Sequence, residues 1–184
     1  MKINKAIFIK GITGTDETLH DEVPQVAFIG RSNSGKSSTI NALVNQNKLA
    51  ITSSFPGRTQ KINVFSINDS LYFIDLPGYG YAKVPPKVKV KLRAMVNWYF
   101  FDSNINQKLI FVIVDANVGM TNDDLELLDA LAHYKKNVII IANKIDKIKK
   151  SEYEEKMSKL ESPFKIIPFS AKKKIGIEEV LENI

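Results

Sequence analysis

A glycine-rich segment near residue 30 has the residue types and the spacing that bind phosphate. Residues 30–37 read GRSNSGKS, which fits the pattern G-x-x-x-x-G-K-[ST] between an apolar run and an amphipathic stretch. Backbone N–H groups of such a loop converge on phosphates, and the following helix N-terminus adds a favourable dipole. We expect Lys36 to reach the β- and γ-phosphates, Ser37 to bind Mg²⁺ and Ser38 to contact the α-phosphate. The residues predicted to surround the phosphates are Gly30, Arg31, Ser32, Asn33, Ser34, Gly35, Lys36, Ser37 and Ser38.

A second motif has the residues that distinguish guanine from adenine. Asn143-Lys144-Ile145-Asp146 directly follows the apolar run 138–142. The carboxylate of Asp146 can accept hydrogen bonds from two guanine N–H groups, whereas adenine has no such pair of donors. The asparagine can address the Hoogsteen edge of the base, and the stem of the lysine can cover its plane. Ser170-Ala171-Lys172, which follows another apolar run, completes the predicted base pocket.

Two shorter motifs suit a magnesium ion and a γ-phosphate. Asp75-Leu76-Pro77-Gly78 follows a predicted strand, so the aspartate can hold Mg²⁺ through a water molecule, in its second shell, and the glycine N–H can meet the γ-phosphate. Gly57-Arg58-Thr59 precedes another strand, and its threonine can supply a second hydroxyl to Mg²⁺ when a γ-phosphate is present. The residues expected to act on the reaction itself are Lys36, Thr59, Gly78 and Asn33.

The elements that must position these motifs alternate along the chain. Strands that are apolar throughout indicate a mostly parallel sheet covered by helices, so we predict an α/β fold of three layers with a mixed, mainly parallel six-stranded sheet and about five helices. Residues 87–93 alternate as a strand does, but apolar residues also recur at helical spacing to residue 101, and Pro86 suits a first helical turn, which favours a helix. The other predicted helices are 37–45, 122–133, 152–160 and 177–184, and the predicted strands are 26–29, 62–67, 71–74, 109–114, 138–142 and 165–169.

Length and composition exclude several other classes of protein. The 184 residues, 44% of them apolar, predict one domain, in which residues 1–22 form an extension that can add an edge strand and residues 23–184 form the nucleotide-binding core. The absence of Cys excludes disulfide scaffolds, thiolate metal sites and cysteine nucleophiles. No apolar run approaches the ~20 residues of a membrane span, so we expect a cytoplasmic, monomeric protein without membrane contact. The net charge of +6 favours a polyanionic partner.

Taken together, five segments resemble the EngB (YihA/YsxC) family of bacterial small GTPases. They read GRSNSGKSS at 30–38, FPGRTQKIN at 55–63, DLPGYGYAKV at 75–84, NKID at 143–146 and SAK at 170–172. The resemblance implies a P-loop NTPase fold of the Ras-like type, binding and hydrolysis of GTP with Mg²⁺, and a switch between the GTP and GDP states. It also implies a role in assembling the large ribosomal subunit and a link to septation. The family usually has Thr where this chain has Asn143.

One position differs from Ras-like enzymes and another suggests a further ion. Tyr79 follows Gly78, where a Ras-like enzyme has a glutamine that orients the attacking water, so slow intrinsic hydrolysis is expected. The place of Asn33 is similar to that of an asparagine that helps to bind K⁺ in related cation-activated GTPases. A monovalent cation beside the phosphates can stabilise charge that develops in the transition state, so we hypothesise K⁺-stimulated hydrolysis.

A basic segment follows the predicted γ-phosphate sensor and suggests a partner rich in phosphate. The resemblance implies that this partner is ribosomal RNA of the large subunit, whereas a solvated helix face is the alternative interpretation. Two other functions stay open, namely a nucleotide-regulated interaction protein of the division machinery and a P-loop nucleotide kinase, although the acceptor site and arginine-rich lid of a kinase are not evident. The basic residues are Lys83, Lys87, Lys89, Lys91 and Arg93.

Overall fold

The computed structural model describes residues 1–51, 61–80 and 85–184 of the chain. Within these residues the helical elements include several short 3-10 turns and a π-helical turn at Trp98–Asp102. The α-helices are α1 (Lys36–Leu43), α2 (Pro86–Asn97), α3 (Asn122–His133), α4 (Tyr153–Ser158) and α5 (Ile177–Glu182). The strands are β1 (Ala6–Ile12), β2 (Gln25–Gly30), β3 (Ile62–Ile67), β4 (Leu71–Asp75), β5 (Gln107–Asp115), β6 (Val138–Asn143) and β7 (Lys165–Pro168).

In the described part of the chain, seven strands form one sheet in the order β1-β3-β4-β2-β5-β6-β7. Strands β4, β2, β5, β6 and β7 are parallel neighbours, and β3 runs antiparallel to both β1 and β4. The mixed, mainly parallel α/β sheet is therefore confirmed. The seventh strand is β1, which pairs with β3 at the edge of the sheet, where residues 1–22 were expected to add a strand to the six predicted.

The sheet is buried on both faces by two layers of helices. All six residues of β2 are buried, and alternate side chains point to opposite sides. Ala27 and Ile29 pack in the core under α2 and α3, whereas Val26 and Phe28 pack in the core under α1 and α5. This double burial is why the central strands are apolar throughout instead of alternating with polar residues.

The hairpin between β3 and β4 ends in a two-residue turn. Asn68 and Asp69 have φ values of +51° and +55°, the left-handed conformation that asparagine and aspartate tolerate and that this tight turn requires. The Asn68 side chain also accepts hydrogen bonds from the N–H groups of Asn4 and Lys5, at 2.9 and 3.0 Å. The turn therefore anchors the segment that leads into β1.

The ambiguous segment after residue 85 is a helix, as its apolar spacing predicts. Pro86 is the first residue of α2, where its missing N–H has no intrahelical partner to lose. Leu92, Met95 and Val96 are the buried residues of this helix. The alternating lysines lie on the exposed side, so the period-2 pattern reflects solvent exposure and not a strand. None of the helices in the described ranges has the length and apolar character of a membrane span.

A buried polar network joins the end of this helical region to the first core strand. The Tyr99 hydroxyl donates to Gln25 Oε1 at 3.0 Å, and Gln25 Nε2 donates to the Leu19 carbonyl at 2.8 Å. Tyr99 is fully buried and Gln25 is 2% exposed. A buried polar atom without a hydrogen-bond partner destabilises the folded state. The two bonds therefore stabilise the buried positions of Tyr99 and Gln25 together.

Tyr99→Phe should lower the free energy of unfolding by about 1–3 kcal/mol, because Gln25 Oε1 would stay buried without its donor. Urea denaturation measures the effect. Tyr134→Phe is the matched control, since the Tyr134 side chain is exposed on α3's C-cap, and it should change stability by less than about 0.5 kcal/mol. Equal effects of the two substitutions would contradict a structural role for the network.

Candidate functional site

The phosphate loop (residues 30–37) connects the carboxyl end of β2 to the first turn of α1. Gly35 directly precedes α1 with φ of +98°, and a Cβ at this position would collide with the Asn143 side-chain amide. Only glycine therefore satisfies both the backbone conformation and the space. The segment between strand and helix is also tightly turned, with the Ser34 N–H donating to the Arg31 carbonyl at 3.0 Å.

Lys36 and Asp75 form a buried ion pair at the centre of the site. The Lys36 ammonium contacts Asp75 Oδ1, and the two residues are only 8% and 2% exposed. Asn63 Nδ2 lies 3.4 Å from the other carboxylate oxygen. Because a buried charge needs a counter-charge, each of these predicted site residues neutralises the other in this structure. Ser37, which follows Lys36 in α1, is half-buried.

The guanine motif (Asn143-Lys144-Ile145-Asp146) is joined directly to the phosphate loop. Asn143 is 2% exposed, and its Nδ2 donates to the Ser34 carbonyl at 2.9 Å. Its Oδ1 accepts from the Ala171 N–H at 3.3 Å. The amide therefore braces three segments of the site, and its expected contact with the Hoogsteen edge stays a prediction.

Lys144 makes a second connection between the same two motifs. Its φ is +68°, and its ammonium donates to the Asn33 carbonyl and to Asp115 Oδ2, the latter at 2.7 Å. Asp115 ends β5 and was not among the sequence-predicted site residues. The sequence does contain a signal for Asp115, because this acidic residue directly follows the apolar run 109–114. Asp75 has the same position at the carboxyl end of β4.

Asp146 is held in place by the loop that follows β7. Ser170 is fully buried, and its hydroxyl donates to Asp146 Oδ1 at 2.5 Å while accepting from the Lys173 N–H at 3.0 Å. The Ile145 N–H donates to the Phe169 carbonyl at 3.2 Å. The predicted Ser170-Ala171-Lys172 loop thus fixes the orientation of the carboxylate.

These segments enclose a cavity of about 350 Å³. It extends from Gly35 and α1 to the guanine motif and the loop after β7, whereas Lys36, Ser37, Asp75 and Gly78 are not among its lining residues. Seven lining residues were predicted from the sequence: Gly35, Ser38, Asn143, Lys144, Asp146, Ala171 and Lys172.

The switch loop (residues 75–80) continues from β4 along the phosphate loop. The Leu76 N–H donates to the Phe28 carbonyl at 3.0 Å, and Leu76, Pro77 and Gly78 are all buried. The Ser32 N–H donates to the Tyr79 carbonyl at 2.9 Å, which places the two loops side by side. The predicted residues Gly57, Arg58, Thr59 and Lys83 lie outside the described residues.

The predicted basic segment lies on two sides of α2. Lys87, Lys89 and Lys91 are exposed, and Arg93 forms an exposed ion pair with Glu126 of α3 at 3.2 Å. Helical spacing places Lys87 and Lys91 on one side, and Lys89 on the side of Arg93, where both line a cavity between α2 and α3.

Comparison with known proteins finds GTP-binding relatives over nearly the whole chain. The family model described as 50S ribosome-binding GTPase matches residues 25–144, and the GTP-binding domain of elongation factor Tu matches residues 107–184. The chain is 38% identical to a probable GTP-binding protein EngB of Clostridioides difficile (strain 630), an alignment that covers 100% of this chain and 93% of the relative.

Solved structures agree with the sequence relatives. A crystal structure of a probable GTP-binding protein EngB superposes with a TM-score of 0.70 at 28% identity and covers 86% of this chain and 95% of that one. Era in complex with MgGDPNP and nucleotides of 16S ribosomal RNA gives a TM-score of 0.66 at 26% identity, over 86% of this chain and 54% of Era. The joined phosphate and base motifs and these relatives lead to one assignment: the chain belongs to the EngB family of GTP-binding proteins and is a GTPase.

Proposed function

We propose that this GTPase is a Mg²⁺-dependent molecular switch that assists assembly of the large ribosomal subunit. The observation that carries the switch is the direct bonding of Asn143 and Lys144 to the carbonyls of Ser34 and Asn33. The segments that bind the base and the phosphates are therefore joined by hydrogen bonds. A change in the phosphate loop is transmitted through these bonds to the segment that holds the base. The protein acts as a cytoplasmic monomer.

The phosphates of GTP bind the backbone N–H groups of the phosphate loop and the ammonium of Lys36. Lys36 is already buried and paired with an anion, so a phosphate oxygen can replace the Asp75 carboxylate as its partner. This exchange leaves the buried Asp75 carboxylate in need of a new positive charge. The site therefore favours binding of nucleotide together with a cation over binding of nucleotide alone.

The residues around Asp75 fit Mg²⁺ by their chemistry. Hydroxyl and carboxylate oxygens are the hard ligands that this ion prefers, and Mg²⁺ retains several waters when bound beside phosphates. Ser37 and Thr59 would hold it through their hydroxyls, and Asp75 would hold it through a bound water. The ion supplies positive charge against the phosphate oxygens.

Switching depends on two segments that meet the γ-phosphate. The N–H of Gly78, at the centre of the buried switch loop, and the hydroxyl of Thr59 are both held while the γ-phosphate is present. Hydrolysis removes the common ligand and releases both segments. Since Tyr79 stands where a water-orienting glutamine would be, intrinsic hydrolysis is slow and a monovalent cation at Asn33 compensates for part of the missing stabilisation.

The partner of the switch is proposed to be ribosomal RNA of the large subunit. Support comes from the exposed lysines on α2, which begins a few residues after the switch loop, and from the 50S ribosome-binding description of the matching family model. Era, a structural relative, is seen with ribosomal RNA. A link to septation rests on the family resemblance and would make the division machinery a second partner.

Asp146→Asn should weaken binding of GTP about 100-fold, because the amide replaces a charged acceptor of two guanine N–H groups. The variant should at the same time gain affinity for xanthosine triphosphate, whose extra carbonyl can accept from the new amide. Competition for a fluorescent guanine nucleotide measures both changes. Asp129→Asn, on the exposed face of α3, is the matched control and should bind GTP as the wild type does. A wild-type preference for ATP over GTP would overturn the assignment of the base.

The rate of GTP hydrolysis should be higher in KCl than in NaCl at equal ionic strength. Asn33→Ala should remove this difference, because the side chain is proposed to hold K⁺ beside the phosphates. Phosphate-release kinetics with saturating GTP give the comparison, and nucleotide affinity measured alongside shows whether binding is intact. Equal rates in the two salts for wild type and variant would rule out K⁺ activation.

Charge reversal of Lys87, Lys89 and Lys91 to Glu should abolish co-sedimentation with large ribosomal subunits in the presence of a non-hydrolysable GTP analogue. Phosphate contacts are electrostatic, so wild-type binding should also weaken steeply as salt is raised. Reversal of three exposed lysines elsewhere, Lys2, Lys135 and Lys150, is the matched control and should retain binding. If the wild-type protein loaded with the analogue stays free of large subunits, the ribosomal part of the proposal is wrong.

A further inference from the structure

Tyr79 connects three parts of the molecule that are separate in the sequence. Its carbonyl accepts a hydrogen bond from the Ser32 N–H of the phosphate loop at 2.9 Å, and its backbone forms a parallel β-bridge with Arg31. Its hydroxyl donates to Asp124 Oδ1 in α3 at 2.6 Å. One residue of the switch loop thus touches both the phosphate loop and the helix beside it.

The acceptor of this hydroxyl is itself held rigidly. Asp124 is 1% exposed, and its other oxygen, Oδ2, accepts from both the N–H and the hydroxyl of Thr121 at 2.7 Å each. The bond from the Thr121 N–H belongs to the capping box at the start of α3, and together the two bonds fix the direction of the carboxylate. A phenol that donates to such a carboxylate is held at one defined position relative to the helix.

The burial of the Tyr79 side chain keeps the phenol a donor. Desolvation and the neighbouring Asp124 carboxylate raise the pKa of Tyr79 well above its ordinary value, so the hydroxyl stays protonated throughout the physiological pH range. The ring lines a cavity of about 310 Å³ between α2 and α3, which is separate from the cavity of the nucleotide site. The phenol therefore does not take the place of a water-orienting glutamine.

The backbone beside Tyr79 fits closely against the phosphate loop. Gly80 has φ of +70°, and a Cβ at this residue would lie 2.7 Å from Arg31 Cγ and 3.2 Å from Asp123 Oδ2. Only glycine allows the chain to pass so near the arginine stem in this conformation. The switch loop is held on one side by the bond from the Ser32 N–H to the Tyr79 carbonyl and on the other by the tyrosine hydroxyl.

We propose that Tyr79 is a positioning residue whose hydroxyl, bonded to Asp124, holds the backbone of the switch loop where the Gly78 N–H can meet the γ-phosphate. This inference rests on the proposed role of Gly78 as γ-phosphate sensor. The contribution is specific to the GTP state, because GDP has no γ-phosphate for the loop to bind. Tyr79 thus positions the loop through its bond to α3 and does not orient the attacking water.

Tyr79→Phe retains the ring and removes only the hydroxyl, so the test compares two affinities of the same protein. We expect affinity for a non-hydrolysable GTP analogue to fall about tenfold and affinity for GDP to change less than twofold. The value of kcat/KM for GTP should fall by a similar factor. Tyr72→Phe is the matched control, since the Tyr72 hydroxyl also donates to an aspartate, Asp21 Oδ2, at 2.7 Å, but at the amino end of β4, beside Gln25 at the start of β2 and away from the carboxyl ends of the strands. This control should leave the ratio of the two affinities unchanged.

A double-mutant comparison separates positioning from general destabilisation. In an Asp124→Ala background the phenol has lost its acceptor, so adding Tyr79→Phe should change the ratio of affinities no further. Equal weakening of both nucleotides by Tyr79→Phe, or an undiminished effect in the Asp124→Ala background, would overturn the inference. Failure of the wild type to bind the GTP analogue would instead refute the proposed function, which makes the two failures distinguishable.

Discussion

The parallel pairing of β4, β2, β5 and β6 determines where the polar residues of the site lie. The register places Phe28 of β2 beside Asp75 of β4, and Asp115 of β5 beside Asn143 of β6. Since the carboxyl ends of parallel strands meet at one edge of the sheet, four separate segments of chain deliver their site residues to the same edge. A slip of one residue would turn each of these side chains to the opposite face, so the buried apolar residues that fix the register also fix the chemistry.

Charge balance is the second constraint on this edge. Lys36 pairs with Asp75, and Lys144 pairs with Asp115, so each lysine of the two main motifs has an aspartate from the end of a neighbouring strand. The pairs keep both cations ordered before any phosphate arrives, which reduces the conformational entropy lost on binding. In the proposed function the two pairs behave differently, because Lys144 retains Asp115 as its partner, whereas Lys36 exchanges the Asp75 carboxylate for phosphate.

Most of the fold and the two nucleotide motifs follow from the sequence, because their signals are local. Apolar runs identified the strands after residue 25, and the helical spacing of Leu92, Met95 and Val96 correctly outweighed the alternating lysines around them. The N-terminal edge strand was expected, but its antiparallel pairing with β3 and the role of Asp115 required knowledge of contacts between distant segments. The Tyr79–Asp124 contact joins residues 45 positions apart, and Asp124 read from the sequence is only one acidic residue in the first turn of a helix. Contacts between residues so far apart in the sequence leave no periodic pattern and no motif from which they could be predicted.

Helix α3 contacts both the switch loop and α2. It bonds Tyr79 through the buried Asp124 and contacts Arg93 of α2 through the exposed Glu126. An exposed ion pair contributes little to stability, whereas a buried hydrogen bond to a carboxylate contributes substantially. The switch loop is therefore the more firmly attached of the two, and the lysine-bearing face of α2 is held more by its apolar stripe than by polar contacts. In the proposed switch, α3 is therefore the fixed reference for the loop that meets the γ-phosphate.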